Sequence, residues 1–150
     1  MGVEIERKFL VHKELVPDLT SFKFDMIHQG YLSSNPDLTI RIRLKNDSAY
    51  LTFKGKSQGI SRKEIEIMVD SSLANELISD FHITLLEKKR FYIPYGQLTI
   101  ELDIFEGKLE GLVLAEIELT HENQSIEFPS WFSKEVSNDP AFYNVNLLKD

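Results

Sequence analysis

Eight segments of this chain alternate apolar and polar side chains residue by residue, and charged groups hold most of the polar positions. The first covers residues 3–11, with Glu4, Glu6 and Lys8 set against Val3, Ile5 and Phe9. Residues 25–32 form a second. Leu38–Lys45 sets Thr39, Arg41 and Arg43 against Leu38, Ile40 and Ile42. Residues 50–56 carry Lys54 and Lys56, and residues 60–69 carry Arg62, Glu64 and Glu66. Residues 84–93 carry Lys88 and Arg90, residues 97–105 carry Glu101 and Asp103, and residues 112–120 carry Glu116 and Glu118. Successive side chains of a strand point to opposite faces, so each charged set shares one face. Eight strands are enough for an antiparallel sheet to close into a barrel that holds one small ligand, and closure leaves no free edge. The expected fold is therefore mainly β, a closed eight-stranded antiparallel barrel.

Local signals fill in the connections. Asn46-Asp47 suits a tight hairpin turn, and Pro94-Tyr95-Gly96 reads as another turn. Asp70 and the serines after it offer helix-capping chemistry ahead of Leu73, Leu77, Ile78 and Phe81 at helical spacing, which predicts one inserted helix. The tail carries Pro129 and Pro140, with short helices expected over residues 131–135 and 141–148. Trp131 and Phe132 are expected to fasten the tail to the barrel and close one end. Nothing divides the sequence, so residues 1–150 are read as one domain.

A half-exposed sheet also alternates apolar and charged positions, so alternation alone does not make a site. The sorting of the charges does. Eight acids and eight bases recur at i, i+2, and several strands carry one sign only: Arg41 with Arg43, Glu101 with Asp103, Glu116 with Glu118. Like charges side by side repel unless something of opposite sign sits between them. A paired-arginine strand suits an anion and a paired-glutamate strand suits a cation. If both line one cavity, the fitting guest is a metal-bound polyphosphate. Hard divalent ions take carboxylate and phosphate oxygens together, and Arg and Lys grip the remaining phosphate oxygens. Phosphoryl transfer asks mainly for positioning and charge stabilisation. The chain has no cysteine, and no serine or histidine stands in a nucleophile motif, which points to water as the nucleophile.

Composition narrows the partners. A net charge of −7 disfavours nucleic acid. No apolar run reaches the roughly 20 residues of a membrane span. The opening residues lack a signal-peptide core, and the absence of cysteine gives no disulfide framework. A cytoplasmic protein with no membrane partner is expected.

The opening Glu4-Ile5-Glu6-Arg7-Lys8 forms an E-x-E-x-K pattern that resembles the signature of the CYTH superfamily, the triphosphate tunnel metalloenzymes. The likeness continues in order along the chain. Gln29-Gly30-Tyr31-Leu32, Arg41-Ile42-Arg43 and Leu51-Thr52-Phe53-Lys54 resemble the next strands, followed by Gly59 to Glu66. Lys88-Lys89-Arg90 is similar to the family's K-x-R strand, and residues 101–105 and 114–119 to its acidic strands. Glu135-Val136-Ser137, Tyr143-Asn144 and Leu147 resemble the C-terminal plug of short bacterial members. The resemblance implies an eight-stranded tunnel, a triphosphate-bearing substrate and Mg²⁺ or Mn²⁺. It assigns Lys8, Arg41, Arg43, Lys54, Arg62, Lys88 and Arg90 to the phosphates. It assigns Glu4, Glu6, Glu116 and Glu118 to the metal, with Asp103 a further candidate. Lys88 would polarise or deprotonate the attacking water, with Glu4 and Glu6 counted in the catalytic set. For Glu64, Glu66 and Glu101 simple pairing with neighbouring bases is the alternative to a role in the site, and Lys56 falls either in the lumen or in the following loop.

The leading expectation is hydrolysis of inorganic tripolyphosphate to pyrophosphate and phosphate. A thiamine or nucleoside triphosphatase, or an adenylate cyclase, would use nearly the same lumen. A non-catalytic polyphosphate-binding module would keep the bases and lose the carboxylates, yet both Glu pairs are present. A homodimer accords with the family.

Overall fold

The computed structural model describes residues 2–149. Its strands are β1 (Gly2–Val11), β2 (Phe24–Asn35), β3 (Leu38–Lys45), β4 (Ser48–Gly55), β5 (Ser61–Val69), β6 (Leu86–Tyr95), β7 (Leu98–Glu106), β8 (Val113–Glu118) and β9 (Phe132–Glu135). The sheet runs β5-β4-β3-β2-β6-β7-β8-β1, and β1 pairs back onto β5, so eight antiparallel strands close into a barrel as expected. Closure divides one edge of β1. Its first residues, Gly2 to Ile5, pair with β5, and its last, Phe9 to Val11, pair with β9.

β9 corrects the expected helix at residues 131–135. Where β5 leaves β1, the upper backbone of β1 would be an open edge, and β9 fills it. Val136 N–H donates to the Lys8 carbonyl at 2.8 Å, continuing the same edge. The tail differs too. Residues 141–148 form no α-helix but two 3₁₀ turns, Pro140–Phe142 and Asn144–Asn146. Trp131 and Phe132 lie on the outside of the wall, with Phe132 against Phe9, and do not close an end. The Asn46-Asp47 turn forms with Asn46 at φ 53°, whereas the 94–96 reversal shifts: Pro94 and Tyr95 remain in β6 and the chain turns at Gly96, φ 61°.

The apolar packing sits mainly outside the barrel wall. Ile100, Leu102, Ala115 and Ile117 point outward from β7 and β8 and are fully buried beneath Phe9, Trp131, Phe132 and the 12–22 and 126–132 segments. Each such side chain contributes about 1.5–3 kcal/mol. On the opposite wall the helix α1 (Ser71–Asp80) covers Ile42 and Ala49, with Ala74, Leu77 and Ile78 facing in. Leu73 and Phe81 stay exposed, so the helix buries a narrower stripe than its spacing predicts. A third cluster, Leu86, Phe105, Leu114 and Val136, meets Phe142, Leu147 and Leu148. The first three lie on the lumenal face, so the tail seals one end of the barrel with an apolar floor. No helix is long and apolar enough to cross a membrane among the described residues.

Candidate active site

Above that floor the lumen is almost wholly charged. A cavity of about 240 Å³ is lined by seven bases, Lys8, Arg41, Arg43, Lys54, Arg62, Lys88 and Arg90, and seven acids, Glu4, Glu6, Glu64, Glu66, Glu101, Glu116 and Glu118. The period of the strands brings them together: the i, i+2 sets singled out in the sequence turn inward, apart from Lys56. Arg7 turns outward and donates through Nε to Glu135 at 2.8 Å. Lys56 lies in the exposed loop after β4 and is not among the lining residues.

The bases differ in how they are held. The Arg43 guanidinium forks onto the Gln29 carbonyl oxygen at 2.8 and 2.6 Å. Arg62 donates to the Gly55 carbonyl at 2.8 Å and the Thr39 hydroxyl at 3.0 Å. Arg41 donates from Nη2 to Thr52 at 2.9 Å and to Glu66 at 3.4 Å, while its Nε is buried without an acceptor. A buried guanidinium N–H lacking a partner is costly, and an anion in the lumen would satisfy it. Lys54 straddles both Glu4 oxygens at 2.9 and 3.0 Å. Gln29, Thr39 and Thr52, and Asn144, whose Oδ1 accepts from Lys88 at 2.8 Å, thus belong to the site although the charge pattern passes over them. Their inward parity on the strands was the available signal for the first three.

Asp103 stands apart. It is fully buried, and its carboxylate receives Arg90 at 2.7 and 2.8 Å and Lys88 at 2.8 Å. It lies behind these two cations and is not among the residues lining the cavity. Burial pushes its carboxyl up, but Arg90 and Lys88 outweigh that and hold it below its ordinary value. Glu116 behaves alike, with Lys8, Arg90 and Lys88 overcoming burial and holding it well below the usual range. Burial drives Lys88 down to about 7, with Asp103 opposing and Arg90 and Arg43 reinforcing the shift.

The other carboxylates show the opposite strain. Burial, then Glu116 and Glu4, raise Glu6 well above its ordinary value. Glu118 is raised by burial and by Glu4, Glu101 and Glu64. Glu6 and Glu118 therefore face each other across β1 and β8 with too little positive charge between them, beside Glu4, which Lys54 takes up. Among the described residues no three acids or histidines converge as a preformed metal cage. The donors nevertheless suit a hard divalent ion, which binds through one or two carboxylates plus water and substrate oxygens. Its charge would relieve the crowding at Glu6 and Glu118.

The comparisons accord with this geometry. The inorganic triphosphatase of Acetivibrio thermocellus is 41% identical over 151 residues, covering 100% of this chain and 96% of that protein. The inorganic triphosphatase of Nitrosomonas europaea is 36% identical over 149 residues, covering 96% of this chain and 95% of that protein. A solved crystal structure of an inorganic triphosphatase superposes with a TM-score of 0.69 at 31% identity, covering 98% of this chain and 95% of that one. The family model described as the CYTH domain matches residues 2–143, and the chain belongs to that family.

Proposed function

We propose that the barrel is an inorganic triphosphatase, hydrolysing tripolyphosphate to pyrophosphate and orthophosphate with the help of Mg²⁺ or Mn²⁺. The observation that carries this reading is the convergence of seven bases on one lumen that also holds a wall of under-neutralised carboxylates. Lys8, Arg41, Arg43, Lys54, Arg62 and Arg90 take the phosphate oxygens. The buried Nε of Arg41 supplies a donor with no acceptor among the described residues. Glu4, Glu6, Glu116 and Glu118 hold the metal, directly or through water. When bound, the ion supplies charge neutralisation and activates water. Lys88 polarises or deprotonates the attacking water; the new P–O bond forms on the terminal phosphorus as the bridging P–O bond breaks, its electron pair leaves on pyrophosphate, and the water's proton passes through Lys88 or directly to solvent. Asp103, with both oxygens engaged by Lys88 and Arg90, serves to hold those cations. The charged lumen and its apolar floor favour a compact all-phosphate substrate over one carrying a large organic group.

The proposal extends to a cytoplasmic location, in keeping with the absence of cysteine. It also extends to a homodimer, for which the exposed apolar side chains Val3, Ile65 and Ile67 on the neighbouring strands β1 and β5 offer a surface. Light scattering that returns a monomer mass would remove the dimer. The test of function is phosphate release from tripolyphosphate, ATP and thiamine triphosphate with Mg²⁺, Mn²⁺ or EDTA. Turnover of tripolyphosphate well above the organic substrates, abolished by EDTA, is expected. Preference for an organic triphosphate would transfer the activity to that substrate, and binding without turnover would leave a polyphosphate-binding module.

A further inference from the structure

We propose that Asn144, carried on the tail, is a positioning residue that fixes the ammonium of Lys88 for the reaction. The inference rests on the tripolyphosphatase reading for the reaction itself, while the placement of Lys88 stands on geometry alone. Lys88 is 1% exposed, and its Nζ donates to two acceptors, Asp103 Oδ2 at 2.8 Å and Asn144 Oδ1 at 2.8 Å. The first belongs to the barrel wall. The second comes from a residue 56 positions later in the chain.

The orientation of Asn144 is itself determined. Its Oδ1 also accepts from Gln29 Nε2 at 3.1 Å. Gln29 cannot present its carbonyl there, because Arg43 forks onto that oxygen. The Gln29 amide is thus turned so that its NH₂ meets Asn144, and the Asn144 oxygen must face both donors. The backbone beneath is anchored as well. Asn146 Nδ2 donates to the Pro140 carbonyl at 2.8 Å, the Phe142 carbonyl accepts from Lys8 Nζ at 3.0 Å, and Leu147 and Leu148 pack into the apolar floor. A tail that only sealed the barrel would need the apolar contacts alone. This one also presents a neutral acceptor to the most buried lysine of the site, where a second carboxylate would hold the ammonium more tightly. With two of its three N–H directions taken, Lys88 has a single direction left for the cavity it lines. A shift of about 1 Å in such a group can cost roughly 10²-fold in rate.

The test compares the wild-type protein with Asn144→Ala and Asn144→Ser. The serine hydroxyl suits the first position of a 3₁₀ turn but is too short to reach Lys88. Two readouts are taken: steady-state tripolyphosphate hydrolysis, and the side-chain ¹⁵Nζ resonance of Lys88 in metal-free protein, identified by its absence in Lys88→Ala. Both Asn144 variants are expected to displace the Lys88 resonance, lower kcat by about tenfold or more and leave KM within about threefold. An unmoved Lys88 resonance in a folded variant would overturn the inference. So would an unchanged kcat, or a loss in which kcat, KM and melting temperature all fall together, which marks a merely structural tail. Failure of the wild-type protein to hydrolyse tripolyphosphate would sink the functional reading, while the resonance would still decide whether Asn144 places Lys88.

Discussion

Replacing Asp103 with asparagine should destabilise the metal-free protein far more than any other single change at the lumen. The side chain is fully buried and takes Arg90 at 2.7 and 2.8 Å and Lys88 at 2.8 Å. Asparagine keeps the volume but removes the charge and turns an N–H₂ toward the guanidinium. Arg90 then loses its bidentate counter-charge, while Lys88, already pushed down to about 7 by burial, loses the charge that held it up and sheds its proton more readily. Breaking a buried pair from one side costs about 3–5 kcal/mol. For a chain of this size that corresponds to a fall of roughly 6–20 °C in Tm. The pH dependence has a definite sign. The folded carboxyl lies below its unfolded value, so its contribution is complete above about pH 4 and is lost as pH falls through the folded value. The gap between wild type and Asp103→Asn, read by urea titration, should therefore be wide at pH 7 and shrink in acid. Tripolyphosphate added without divalent ions should raise the Tm of the variant more than that of the wild type, since the stranded Arg90 guanidinium would bind it. A Tm within 2 °C of wild type at pH 7 would refute the argument. If the variant instead kept its metal-free stability and lost metal affinity, Asp103 would be a metal ligand after all.

Three further outcomes are expected. Arg41→Ala should lower kcat/KM by roughly 10²-fold, as for other preorganised electrostatic groups, with kinetics at saturating metal as the check. Glu118→Ala should abolish metal-dependent turnover while leaving metal-free Tm unchanged or higher, because burial and the nearby Glu4, Glu101 and Glu64 already disfavour its ionised form. Gly30→Ala should destabilise by about 1–3 kcal/mol in urea unfolding, since a Cβ there would run into Ile83 Cγ2 and meet the Thr84 carbonyl at 2.7 Å.

The strands and the inward faces of this barrel were legible because both follow from a period of two, a property each segment carries by itself. Arg41 and Arg43, or Glu116 and Glu118, announce a shared face wherever their strand ends up. What escaped depends on partners far along the chain. β9 forms because β1 has a vacant edge above β5, a condition that residues 131–135 do not encode locally. Residues 141–148 are apolar enough to suggest a helix, yet their docking onto the floor and the bond from Asn146 to Pro140 favour successive 3₁₀ turns. Gln29 and Asn144 stood in segments that carry the family resemblance but received no role, because they are neutral and charge was the criterion for the site. Asp103 shares a face with Glu101, but a face does not give depth, and two cations stand between it and the cavity.

The placement of the apolar packing outside the wall has a consequence for how this sequence can vary. In most globular domains the residues that hold the chain together and those that face inward are the same. Here Leu102 and Ile117 secure the fold from outside, while Arg41 and Glu118 face an interior whose apolar burial is confined to the floor. Mutational scanning for solubility and scanning for turnover should therefore give nearly complementary maps along each strand, out of phase by one residue. Lumenal positions become a substrate-specific alphabet that selection can rewrite in balanced pairs without disturbing the outer shell, with Asp103 the letter that cannot be changed alone.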